Sequence, residues 1–154
     1  MKDKPTNELQ SILNKTKPEN IGKYLKENRD SLYSSDKPFS EFMRSTLKSK
    51  KISQQEMFIK AVIPERYGYK LISGEKKTLQ RDVILRMCIA AGFSLPETQT
   101  ALTLCSMPVL YPKIPRDSVL IIAINSSFKD IERVDRLLEE YGFDRLRPCG
   151  TEED

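Results

Sequence analysis

The chain has no histidine and no tryptophan, and only six glycines and three cysteines among its 154 residues. Without histidine, the commonest general base and the commonest metal ligand are missing. Cys88, Cys105 and Cys149 lie 17 and 44 positions apart, a spacing that fits neither a zinc site nor a disulfide framework. Glu139 and Glu140 are adjacent on a predicted helix, so their side chains do not face one substrate. No glycine-rich phosphate loop is visible. We therefore expect no enzymatic activity, no metal and no cofactor.

Long apolar runs are also missing. The longest covers residues 119–124, six positions, which is far short of a membrane span. Residues 1–6 are charged and contain no apolar segment, so we expect no signal peptide and no membrane partner. Cys88 and Cys105 fall on apolar helical faces, where we interpret them as small, reduced core residues. Reduced thiols indicate a cytoplasmic protein.

What the chain does have is an uneven charge distribution. Hydrophobic residues make up 38% and charged residues 31%, as in ordinary globular proteins. The net charge is +4, but residues 37–81 carry eleven basic and four acidic groups, a local net charge of +7. Residues 127–154 carry five basic and nine acidic groups, a net charge of −4. The central basic block suits a surface that faces a polyanion, although a solvated lysine-rich face would have the same composition.

Apolar residues recur at helical spacing along the whole chain, and scarce glycine argues against a β-sandwich or barrel. We therefore predict an all-α fold. Residues 1–36 form an N-terminal helical extension that ends in a polar linker. Residues 37–107 form the central domain, residues 108–147 a C-terminal helical extension, and residues 148–154 an acidic, disordered tail. The predicted helix starts are Thr6, Pro18, Phe39, Ser53, Pro64, Thr78, Ser94, Pro115 and Ser127.

Residues 52–74 carry the most informative pattern. Ser53 precedes Glu56 by three positions, which predicts a capping box at a helix start. Pro64 opens a second short helix, and Gly74 supplies a left-handed stop at its end. The sequence therefore predicts two short helices, over 53–61 and 64–73, joined by a tight turn.

This segment resembles the XRE family, the lambda-repressor and Cro-like helix-turn-helix domains, and the resemblance covers roughly residues 39–104. It implies a lambda-repressor-like helix-turn-helix bundle, here extended by extra helices at both ends. The matching positions are Ser53, Gln54, Met57, Ile63, Tyr67, Leu71, residues 74–77, residues 82–85 and residues 90–97.

Three positions depart from the family pattern. The family usually has a small residue where this chain has Phe58 and a bulky apolar residue where it has Gly68. We interpret the pair as a size swap that keeps the core volume constant. The family often has glycine in the turn, where this chain has Val62. Because valine tolerates a left-handed backbone poorly, we expect the turn to take another shape.

The resemblance implies that the second motif helix enters the major groove of duplex DNA. Arg66 would contact guanine, Lys70 a phosphate or guanine, and Tyr69 a sugar or a thymine methyl group. Glu65 would repel phosphate, which counts mildly against DNA. The full set of predicted DNA-binding residues is Gln54, Glu65, Arg66, Tyr69, Lys70, Ser73, Lys76 and Lys77, with Lys48, Lys50 and Lys51 as further phosphate contacts.

Two functions follow from this pattern. The first is a transcriptional regulator that binds double-stranded DNA through the second motif helix, as a homodimer formed by the helices of the C-terminal extension. The alternative is a helix-turn-helix domain that serves as a protein interaction module, an adaptor for a protein partner that does not bind DNA. Phe58, Val62, Gly68 and the extra helices at both ends favour the alternative.

Overall fold

The chain is helical throughout the residues that the structure describes. A computed structural model describes residues 4–33 and 36–149, which form nine α-helices and two short 3-10 helices (Pro18–Asn20 and Arg29–Ser31), with no strand among them. The all-α prediction is confirmed. None of the helices in these ranges is long and apolar enough to cross a membrane. The helices are α1 (Thr6–Lys15), α2 (Ile21–Glu27), α3 (Pro38–Lys50), α4 (Gln54–Ala61), α5 (Glu65–Ser73), α6 (Arg81–Ala90), α7 (Leu95–Leu104), α8 (Pro115–Asn125) and α9 (Ile131–Glu140).

The chain divides into two compact units, residues 1–38 and residues 39–154. In the first unit, α1 has no buried residue and α2 buries only Tyr24. The side-chain amide of Asn28 donates to the backbone oxygen of Tyr24 at 2.9 Å and accepts a hydrogen bond from the ammonium of Lys4. The backbone N–H of Lys4 donates to the hydroxyl of Ser31 at 2.8 Å. Polar contacts thus account for much of the order in this unit.

The second unit is built around α6, which is buried at every position from Val83 to Ala90. Helix α4 packs on α5 and α6, α6 packs on α7 and α9, and α8 packs on α7 and α9. One apolar core therefore contains residues from the predicted motif and from the predicted C-terminal extension, including Met57, Tyr67, Leu120 and Leu138.

Six helices of this unit end in the same way. A residue with a left-handed backbone is followed by an apolar residue whose N–H donates to the carbonyl five positions earlier, at 2.9–3.2 Å. This arrangement satisfies the free carbonyls of a helix end and folds an apolar side chain back onto the helix. Glycine takes the left-handed position only in two of the six. The left-handed residues are Lys51, Val62, Gly92, Ser106, Ser127 and Gly142.

The prediction that Val62 forces the turn into another shape was wrong. Val62 adopts φ 57° and ψ 51°, the left-handed conformation that the family's glycine would take. The N–H of Ile63 completes the cap by donating to the oxygen of Phe58 at 3.0 Å. Burial of Ile63 and of the α4–α5 contact holds the turn in this shape, although a β-branched side chain disfavours it.

Several predicted helix starts need correction, while the serine caps are confirmed. Ser53 accepts a hydrogen bond from the N–H of Glu56, but the Glu56 carboxylate pairs with Lys60 at 3.2 Å, so the capping box predicted at Ser53 is only half formed. Ser94 forms a complete capping box with Glu97. The helix predicted from Thr78 begins at Arg81, because the Thr78 hydroxyl accepts the N–H of Gln80 in a tight turn. The helix predicted from Ser127 begins at Ile131, since Ser127 closes the preceding helix and Asp130 supplies the cap.

The end of the described chain is packed into the second unit. Leu146 and Cys149 are buried, and Cys88 is buried as predicted, whereas Cys105 follows the end of α7 and is half-buried. Residues 150–154 of the predicted acidic tail, and Ser34 and Ser35 of the predicted linker, lie outside the described residues.

Candidate nucleic-acid interface

Helix α5 presents one face to the core and the other to solvent. The buried positions are Tyr67, Gly68, Leu71 and Ile72. Because residues three or four positions apart share a helix face, the remaining side chains of α5 project together on the opposite side. Glu65, Arg66 and Tyr69 are exposed, and Lys70 and Ser73 are half-buried. The face that the sequence predicted as the DNA-binding surface is therefore accessible within the second unit.

A close contact between α4 and α5 lies on the buried side of α5, opposite this exposed face. A Cβ atom built on Gly68 would lie 2.6 Å from ring carbons Cδ1 and Cε1 of Phe58, so the Phe58 ring occupies the space of the missing side chain. Phe58 is fully buried. The size-swap interpretation is confirmed as a packing contact between α4 and α5.

Tyr69 is held by the same ring. Its ring centroid lies 5.0 Å from that of Phe58, with the planes at 86° to each other. Such edge-to-face pairs contribute about 0.5–1.5 kcal/mol beyond the burial of their area. Tyr69 nevertheless keeps 43% of its surface exposed. One edge of the tyrosine is thus fixed by the core, and the rest remains available at the surface.

The polar residues of the face differ in what they already bind. Arg66 has no hydrogen-bond or ion-pair partner within residues 4–33 and 36–149. The Ser73 hydroxyl donates to the oxygen of Lys70 at 3.1 Å and accepts the N–H of Glu75 at 3.3 Å, so it serves the end of α5. Gln54 is the first residue of α4 and is half-buried. Arg66 is therefore available to a ligand, as is Glu65, which is exposed and likewise has no partner in these ranges.

The lysines around the motif do not form one uniform rim. Lys48 and Lys51 are exposed at the end of α3, Lys77 is exposed after α5, and Lys76 is half-buried. Lys50, which the sequence predicted as a phosphate contact, instead lies 2.8 Å from the carboxylate of Glu97. Lys50 therefore links α3 to α7, because the Glu97 carboxylate that forms the capping box of α7 is also close enough to pair with Lys50.

The electrostatics of nearby groups reflect burial and these pairings. Burial would raise the pKa of Glu97, but the hydrogen bonds from Lys50 and Ser94 outweigh it and lower the pKa. Burial raises the pKa of the Cys105 thiol to about 12, with Lys77 acting in the opposite direction. Burial also raises the pKa of the Cys88 thiol, so neither thiol is an activated nucleophile.

One residue that supports the turn was not predicted from the sequence. Arg86 of α6 is only 5% exposed, and its guanidinium donates to the backbone oxygen of Ala61 at 3.1 Å. Ala61 is the last residue of α4, directly before Val62. A single arginine within an apolar helix run was the only available signal, since its partners lie 25 and more positions away.

Comparisons of the chain with protein-family models, curated proteins and solved structures found no match. The resemblance to the XRE family therefore stays a prediction.

Proposed function

We propose that this protein is a helix-turn-helix regulator that binds double-stranded DNA through the exposed face of α5. The observation that carries the proposal is the accessible outer face itself, on a short helix that is joined to α4 by a three-residue turn and backed by the buried Phe58–Gly68 contact. A recognition helix must project beyond its own domain to reach base edges, and its supporting helix must fix its angle.

The side chains suggest separate roles. Arg66, exposed and without a partner among the described residues, would read guanine through its two parallel donors. Tyr69, fixed on Phe58, would contact a thymine methyl group or a sugar. Lys48, Lys51, Lys76 and Lys77 would contact phosphates and set the register of the protein on the duplex. A homodimer would place two such faces on paired half-sites.

Fluorescence anisotropy with a labelled random-sequence duplex at two salt concentrations tests this proposal. Four phosphate contacts predict a slope of about −3.6 in log K against log salt, and so a loss of roughly a hundredfold in affinity between about 50 and 200 mM salt. The absence of binding at the lower salt concentration would contradict the proposal.

A matched pair of variants assigns the binding to α5. Arg66→Glu reverses one exposed charge on α5, and Arg29→Glu makes the same change on the exposed surface of the first unit. Both lower the net charge of the chain equally. We expect Arg66→Glu to weaken binding by about 5- to 150-fold, given about 1–3 kcal/mol for a bidentate guanine contact. Equal losses in the two variants would indicate attraction by overall charge and not a specific face.

A second function is favoured by two exposed apolar residues. Ile59 near the end of α4 is 68% exposed, and Val62 in the turn is 66% exposed. Apolar side chains beside the α5 face suit a protein partner better than a phosphate backbone. If the duplex does not bind, we propose that the α4–α5 region is an adaptor surface for another protein.

A further inference from the structure

The segment formed by residues 144–149, which we name the C-terminal latch, has no regular secondary structure but is held along its backbone. The guanidinium of Arg116 donates to the oxygens of Asp144 and Arg145, at 3.2 and 3.3 Å. The guanidinium of Arg86 donates to the next two oxygens, those of Leu146 and Arg147, both at 2.9 Å. Two arginines thus bind four consecutive carbonyl groups.

Two carboxylates bind the N–H groups of the same segment. Asp135 accepts the N–H of Leu146 at 2.8 Å, and Asp82 accepts the N–H of Arg147 at 2.9 Å. The Leu146 side chain is completely buried in the core. The backbone of the latch is therefore satisfied by charged side chains of α6, α8 and α9, much as a bound extended peptide would be.

Arg86 connects the latch to the α4–α5 turn. Its three hydrogen bonds go to Leu146, Arg147 and Ala61, so one buried guanidinium spans the latch and the last residue of α4. A buried guanidinium needs hydrogen-bond acceptors around it, because an uncompensated charge in the core is strongly unfavourable. If the latch leaves, Arg86 loses two of its three acceptors and must move toward water.

We propose that the C-terminal latch is a conformational device: while it is seated, Arg86 holds the end of α4 and fixes the left-handed turn at Val62; when it is unseated, the turn and α5 loosen. We expect the turn to change when the latch is unseated, since Val62 is held in a backbone conformation that its side chain disfavours. Anything that withdraws residues 144–149 would then control the α5 face. Only the last consequence rests on the proposed function.

Native-state hydrogen exchange on the full chain tests the coupling. Leu146→Ala weakens the seat of the latch, and Leu102→Ala removes an equally buried leucine from α7, which no hydrogen bond of Arg86 reaches. We compare the two variants under conditions at which their global free energies of unfolding are equal. The amides of Val62 and Ile63 should then exchange about tenfold faster in Leu146→Ala than in Leu102→Ala. A factor of this size lies within the usual range of coupling between sites. Equal exchange rates at these amides would overturn the proposal.

Milder variants keep the test decisive if the alanine variants do not fold. Leu146→Val and Leu102→Val make the same comparison with a smaller loss of volume, and the same order of exchange rates is expected. Accelerated exchange confined to residues 146 and 147, with Val62 and Ile63 unchanged, would show that the latch opens without affecting the turn and would also refute the coupling.

Anisotropy with the labelled duplex then separates this inference from the proposed function. A weaker affinity in Leu146→Ala than in Leu102→Ala is expected if both are correct. If the unmodified protein binds no duplex while Val62 and Ile63 still respond to the latch, the DNA proposal fails and the coupling stands.

Discussion

The Phe58–Gly68 contact offers the sharpest test of how the motif is held together. The Phe58→Ala substitution should reverse the sign of the change that Gly68→Ala makes to the free energy of unfolding. In the native protein, Gly68→Ala would place a Cβ atom 2.6 Å from two ring carbons of Phe58 and 2.8 Å from a third. The ring is fully buried. The ring or one of the two helices must therefore shift.

The magnitude follows from two opposing effects. Overpacking of a tight core costs about 1–3 kcal/mol, while replacing glycine with alanine inside a helix gains about 1 kcal/mol. We expect Gly68→Ala alone to lower the free energy of unfolding by about 1 kcal/mol. In a Phe58→Ala background the clash is absent and only the helix preference remains, so the same substitution should raise the free energy of unfolding by about 1 kcal/mol.

Urea unfolding of the native protein, the two single variants and the double variant measures this interaction as a double-mutant cycle. Phe58→Ala alone should cost about 3–5 kcal/mol, so a stabilised background is useful if the protein is marginal. A coupling energy of about 2 kcal/mol is expected. Additive effects, with Gly68→Ala unfavourable by the same amount in both backgrounds, would refute the packing account.

Three further predictions concern the turn and the buried charges. Val62→Gly should raise the free energy of unfolding by about 1 kcal/mol, because glycine adopts φ 57° without strain and Val62 buries little surface; an unchanged or lower value in urea unfolding would contradict this. Glu97→Gln keeps the capping box but removes the ion pair with Lys50. Because the pKa of Glu97 is lowered in the folded state, its contribution of at most about 1 kcal/mol is present above its ordinary pKa of 4.5 and is lost as the pH falls through the folded value. The native protein and the variant should therefore differ in stability at pH 7 and converge in acid, and a difference that grows in acid would oppose the assignment. Arg81→Met should lower the free energy of unfolding by about 3 kcal/mol, because it leaves the carboxylate of Asp117, only 1% exposed, without its ion-pair partner at 2.6 Å. A change below about 0.5 kcal/mol in thermal unfolding would show that stability does not depend on this ion pair.

Local signals in the sequence were enough to predict much of the fold. Ser53 and Ser94 mark helix starts, because a serine hydroxyl at the N-cap accepts a free N–H group of the first turn whatever the tertiary structure around the helix. Gly74 marks a helix end, because glycine adopts a left-handed backbone at no steric cost. These rules involve neighbours within a few positions, so they need no knowledge of the tertiary structure.

Left-handed helix ends at other residues could not be predicted in this way. Val62, Ser106 and Ser127 adopt the same conformation against their local preference. In each case the next residue, such as Ile63 or Phe128, packs against the core, and that burial decides the backbone. Local propensity is a weak effect beside the burial of a large apolar side chain.

The candidate site was predicted as a set of exposed positions, but its supports were not. The periodicity of α5 placed Arg66 and Tyr69 on an outer face, and the size difference between Phe58 and Gly68 pointed to their contact. The pairing of Lys50 with Glu97 and the links from Arg86 to Ala61 and to residues 146 and 147 join parts of the chain that lie far apart. One sequence contains no signal for contacts at such separations.

A ¹⁵N-resolved NMR titration of the full chain with a short duplex tests the central claim most directly. We predict that the amide shifts that change will cluster at the start of α4, along α5 from Glu65 to Ser73, and at Lys76 and Lys77, while the amides of α8 and α9 stay unchanged. Shifts confined to α8 and α9, or no shifts with the duplex in excess, would contradict the claim that the outer face of α5 binds DNA.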